Sequence, residues 1–127
     1  MQRRDSNAPD APPPVGAYTH AVEVTGASRT AYLSGQVGMA ADGSIPADAA
    51  AQATLVWANI TAQLRAIGMT LDNIVKVTTI LPDRADLAAS RAARNAAMGE
   101  RKPASTLIIA GLYDAACKIE IEVIACA

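Results

Sequence analysis

The stretch Lys118-Ile119-Glu120-Ile121-Glu122-Val123-Ile124-Ala125 decides how the rest of the chain is read. Its first six residues alternate strictly, so on an extended backbone Lys118, Glu120 and Glu122 share one face and Ile119, Ile121 and Val123 the other. The apolar face must pack on a core. The charged face then meets water or another subunit. Acidic side chains aligned on a sheet stabilise a small domain little unless they meet a partner, which makes Glu120 and Glu122 the first candidates for chemistry.

Working back from that strand, 127 residues suffice for one domain with one core. Hydrophobic residues make up 51% and charged residues 18%, a folded rather than a disordered composition. Much of the apolar share is alanine, and there is no Phe, one Trp and three Tyr. So lean a core favours burial against further copies of the chain. The net charge of −1 gives no global attraction to a phosphate backbone, and the scarcity of aromatics leaves little to stack on single-stranded bases. Nucleic acid is not the expected partner. No apolar run reaches the roughly 18 residues that span a bilayer, and Arg3-Arg4 is followed by no apolar leader segment, so no membrane partner is expected and the cytoplasm is the expected compartment. Cys117 and Cys126 are an odd number of residues apart and flank one strand, which disfavours a disulfide between them.

Residues 1–14, with Pro9, Pro12, Pro13 and Pro14, read as a flexible or extended arm; residues 15–127 form the single domain. Strands are expected at Ala17–Val24, Thr30–Met39, Ile74–Leu81, Ala104–Ile109 and Lys118–Ala125, with 110–116 open between loop and edge piece. A helix over Asp48–Ile67 follows from Ala53, Val56, Trp57, Ile60, Leu64 and Ile67, with Asp48 as cap and Gly68 as stop. A second helix, capped by Asp83, ends near Met98 with Leu87, Ala88, Arg91, Arg94 and Met98 on one side. The order β-β-α-β-α-β-β is an α+β arrangement, a mixed sheet with both helices on one face and the other face left for something to cover.

No P-loop, dinucleotide fingerprint, nucleophile elbow or metal-ligand cluster occurs, and the sole histidine is His20. What remains is a dispersed set: Val15-Gly16-Ala17-Tyr18, Leu33-Ser34-Gly35-Gln36-Val37, Ile74-Val75-Lys76-Val77-Thr78, Arg101-Lys102-Pro103-Ala104-Ser105 and Ile119-Glu120-Ile121-Glu122. In order and spacing this set resembles the Rid family, also called YjgF/YER057c/UK114, from about Pro14 to Ala125. The resemblance implies a chorismate-mutase-like fold, a homotrimer with ligand clefts between adjacent subunits, and hydrolysis of reactive enamines and imines to 2-oxo acids and ammonia without metal or organic cofactor. It implies that Glu120 orients and activates a water, that Tyr18 lines the cleft, and that Ser34 and Gly35 lie beside the ligand. On residue type alone, the favoured reading of Glu120 and Glu122 is that they are solvated or ion-paired with Lys118 of a neighbouring strand; Tyr18 also reads as a packing residue, and Ser34-Gly35 as a bulge.

The chain also departs from the family pattern. Where the deaminase branch carries an arginine that clamps the substrate carboxylate, Ser105 follows Pro103-Ala104; Leu107 replaces a frequent cysteine, and Arg91 aligns with a helix asparagine. A hydroxyl does not replace a permanent charge. Either Arg91 or Arg101 reaches the cleft instead, or the ligand is not the usual 2-iminocarboxylate. Three functions follow in descending order: a cofactor-free imine or enamine hydrolase, a metabolite-binding trimer without turnover and with a less charged pocket around Ser105 and Leu107, and an RNA-cleaving translation inhibitor.

Overall fold

A computed structural model describes all 127 residues. The strands are β1 (Gln2–Ser6), β2 (Ala21–Thr25), β3 (Thr30–Val37), β4 (Ile74–Leu81), β5 (Ala104–Ile109) and β6 (Glu120–Cys126); the helices are α1 (Ala49–Ala66) and α2 (Leu87–Met98). The main sheet runs β3-β6-β4-β5, and β1 and β2 form a separate antiparallel ribbon. Only the β4–β5 pair is parallel, joined through α2, so the sheet is mixed as expected.

Register sorts the side chains by face. Ile121 and Val123 lie opposite Thr79 and Val77, which in turn pair with Leu107 and Ser105; this is the helix-covered face. Glu120 lies opposite Ile80, and Ile80 opposite Ile108, on the face that no helix covers. Val56, Trp57, Ile60 and Leu64 of α1 pack on Ile119, Ile121, Val123 and Ala125 to form the core. Each of the Val, Ile and Leu side chains contributes about 1.5–3 kcal/mol on burial. Asp48 caps α1 through the Ala51 amide, at 3.0 Å, and Gly68 turns the chain with φ 71°, a left-handed value that its missing Cβ makes inexpensive.

Several boundaries differ from the expectations. The N-terminal arm is extended, but Gln2–Ser6 pairs with β2, Arg3 opposite Val24, so the ribbon adds a strand. Arg3 also donates to the carbonyls of Ile74 and Lys102, tying the ribbon to the domain. The first domain strand starts only at Ala21; Ala17–His20 is irregular apart from a bridge from Thr19 to Ala104. Residues 110–116 are turn and loop. On α2 the buried positions are Ser90 and Met98, with Leu87, Ala93 and Ala97 against the core, whereas Ala88 and Arg91 are exposed. Alanines on every side of this helix leave its apolar pattern too faint to fix the face. Asp83 caps a 3-10 turn at Arg84–Asp86 rather than α2 itself. Cys117 and Cys126 are both buried and free. No helix is long and apolar enough to cross a membrane.

Candidate functional site

Glu120 opens β6 and its carboxylate folds over Gly35 of β3. A Cβ built on Gly35 would lie 2.6 Å from Glu120 Oε1, so only glycine admits this placement. The β3–β6 register shifts between Leu33 and Gln36, which makes Ser34-Gly35 a bulge, as its residue types allowed. The bulge thus has a consequence: it opens room for a carboxylate on the uncovered face. Neither Glu120 nor Glu122 enters a salt bridge, so pairing with Lys118 is not what holds them.

A second cluster lies at the opposite edge. A cavity of about 380 Å³ is lined by Tyr18 and its loop, by Ser90, Arg91, Arg94 and Asn95 of α2, by Thr79 of β4 and by Ser105 and Leu107 of β5. Tyr18 is half-buried; its hydroxyl accepts a hydrogen bond from the Val15 amide at 3.3 Å, and its ring meets His20 edge-on at 5.4 Å. His20 contacts the Pro12 carbonyl at 2.9 Å and does not line the cavity. Arg91 is exposed and takes part in no salt bridge. Arg94, which residue spacing had placed merely along one side of α2, is half-buried and donates to the Ala17 carbonyl. Burial pushes its guanidinium below the ordinary value, yet an arginine remains charged at any physiological pH. Arg101 is engaged elsewhere, with Asp72 at 2.7 Å and the Met98 carbonyl at 3.1 Å.

The structure therefore brings Tyr18, Arg91, Ser105 and Leu107 together and keeps Ser34, Gly35 and Glu120 apart from them. The cavity around Ser105 and Leu107 also contains two guanidinia, supplied by Arg91 and Arg94 of α2. Arg94, Ser90 and Thr79 were missed; the signal available was the spacing of Ser90 and Arg94, four apart on α2 and hence on one face. No three His, Cys, Asp or Glu side chains lie close enough to share a metal ion.

The two clusters cannot form one site within a single chain. Ser34-Gly35 on β3 and the cavity at β5 lie at the two edges of the sheet, three strand spacings or roughly 14 Å apart, and Glu120 on β6 is two spacings, roughly 10 Å, from β5. Glu120 belongs to the uncovered face and Ser105 to the helix-covered one.

Comparison with known proteins accords with the fold. The family described as Endoribonuclease L-PSP matches residues 8–127. A 2-iminobutanoate/2-iminopropanoate deaminase of Capra hircus is 32% identical, the match covering 98% of this chain and 90% of its own. Protein DfrA of Myxococcus xanthus is 30% identical over 98% of this chain and 96% of its own. Among solved structures, YyfB of Yersinia pestis, a protein of unknown function in the conserved Rid family, superposes with a TM-score of 0.85 at 34% identity over the whole of both chains. A match to the family along all but the first seven residues, together with this shared fold, makes the chain a member of the Endoribonuclease L-PSP family, the family of the Rid proteins.

Proposed function

We propose that the protein hydrolyses a small reactive imine or enamine, without a cofactor, at a cleft shared by neighbouring subunits of a homotrimer. The observation that carries this reading is the separation of Glu120 from the cavity at β5: they lie two strands apart and on opposite faces of one sheet, and a second copy packed against the first brings such groups into one cleft. Tyr32 and Ile108, large and exposed on the uncovered face, support a partner there.

The chemistry asks for little. Glu120 accepts a proton from a water as its oxygen adds to the C=N carbon, and the nitrogen is protonated. The resulting amino alcohol loses ammonia and leaves a carbonyl. Tyr18, Ser34 and Ser105 orient the ligand. Ser105 distinguishes the pocket from one built to clamp an amino-acid-derived 2-iminocarboxylate from the strand. An assay with imines generated in situ by an amino-acid oxidase tests this reading. Carbonyl formation faster than the spontaneous rate is expected; no acceleration across several amino acids would retire it.

The same serine favours a second reading, a trimer that binds a small metabolite without turnover. Ligands that raise the melting temperature but are never converted would support it. RNA cleavage ranks below both, since the chain is net negative and an acidic pair occupies its uncovered sheet face.

A further inference from the structure

We infer that Gln52 and Asn59 of α1 are positioning residues for Glu120: their carboxamides fix the two chain segments that place its carboxylate over Gly35. This rests on the proposed role of Glu120 in activating water and names what holds that group in place.

Three observations carry it. The first is that the carboxylate does not hold itself. Half-buried Glu120 enters no salt bridge and accepts no hydrogen bond within the chain. Yet its Oε1, Cδ and Cγ lie 2.6, 2.7 and 2.9 Å from where a Cβ on Gly35 would be. Its place is therefore inherited from the two strands beneath it.

The second is what grips those strands. Val37 at the end of β3 is the cross-strand partner of Glu120. Asn59 Nδ2 donates to the Val37 carbonyl at 3.0 Å and to the Met39 carbonyl at 2.9 Å. On the other side, Gln52 Oε1 accepts from the amide of Lys118, two residues before Glu120, at 2.7 Å. Gln52 Nε2 donates to the carbonyls of Ala116 at 2.9 Å and Pro46 at 2.8 Å. One carboxamide holds the residue opposite Glu120, and the other holds the segment that leads into it.

The third is rigidity. Positions 52 and 59 are seven apart, two turns along one face of the helix. Val56, between them, belongs to one core cluster with Ile119 and Ile121, the residues on either side of Glu120. Gln52 is 0% exposed and three hydrogen bonds fix its rotamer. Asn59 is only half-buried, where water would serve the same two carbonyls; a side chain committed to both adds position rather than mere satisfaction. Groups locked in this way hold a reacting side chain to its productive geometry.

The test pairs kinetics with geometry in the full chain. Asn59→Ala carries it, because Gln52→Met removes three buried bonds and endangers the fold. Folded Asn59→Ala should lose about ten- to a hundredfold in kcat on imines generated in situ, with KM within about twofold of wild type. Added to Glu120→Gln, it should lower kcat by less than about twofold further, since a residue acting through Glu120 then has nothing left to position. Unchanged kcat in folded Asn59→Ala, or losses that multiply in the double variant, would overturn the inference. Crystal structures of wild type and Asn59→Ala read the geometry without turnover. The Glu120 carboxylate should leave Gly35 by about 1 Å or more, and a carboxylate still in place would overturn the inference whatever the rate. Wild-type protein that hydrolyses no imine, with the carboxylate displaced in the variant, would sink the hydrolase reading and leave the positioning role standing.

Discussion

Glu120 lies over the backbone of Gly35: its Oε1 occupies space 2.6 Å from where a Cβ on that residue would be. Strand pairing, bulge and carboxylate are thus one device. The bulge at Ser34-Gly35 removes a side chain from the uncovered face of the sheet, and the acid fills the gap with no basic partner to neutralise it.

Gly35→Ala should push that carboxylate aside, because the clashing atoms are the far end of a flexible side chain that can rotate away. Imine hydrolysis should fall by about tenfold or more while the melting temperature changes little. Glu120→Gln should lower kcat by about 10²–10⁴-fold at unchanged fold, the range for removing a positioned acid–base group. Parallel rate and melting measurements on the two variants check this; full activity in both would remove Glu120 from the mechanism.

Gly38→Ala should behave in the opposite way. A Cβ there would meet the Cα of Gln52 at 2.5 Å and its carbonyl oxygen at 2.7 Å, and helix backbone cannot step aside. Gln52 is itself locked, donating to the carbonyls of Pro46 and Ala116 and accepting from the Lys118 amide. The expected loss is about 1–3 kcal/mol or more, as for other overpacked sites. Urea unfolding of the two glycine variants side by side should show the larger loss for Gly38→Ala.

Burial, with Asp114 and Glu120 adding to it, raises the Cys117 thiol above its ordinary value of 9.0. The unfolded chain therefore releases the proton first as pH rises, and the folded form binds more protons between the two values. Stability should be full below about pH 8.5 and decline as pH climbs through the thiol range. Cys117→Ala should flatten that alkaline limb. Urea midpoints between pH 7.5 and 10 test it, and an identical slope in both proteins would exclude Cys117 as the cause.

How far the sequence could be read depended on contrast. The last strand and the face of α1 carry strong apolar periodicity and both formed, the strand over Glu120–Cys126 rather than Lys118–Ala125 and the helix face with Val56, Trp57, Ile60 and Leu64 buried but Ile67 exposed beyond its end. β1 did not announce itself, because Gln-Arg-Arg-Asp-Ser is nearly all exposed and is held by backbone pairing and Arg3 rather than by burial. Arg94 looked like one more helix charge; its place in the cavity depends on the carbonyl of Ala17, 77 residues earlier. The separation of Ser105 from Glu120 depends on strand order, which alternation along single strands does not determine.

The central claim is that a complete site needs a neighbour, and sedimentation equilibrium of the intact chain tests it most directly. A species three times the 13.1 kDa chain mass is predicted, persisting at micromolar concentration. A single 13.1 kDa species across that range would leave Glu120 and the β5 cavity on separate faces of an isolated sheet and contradict the account.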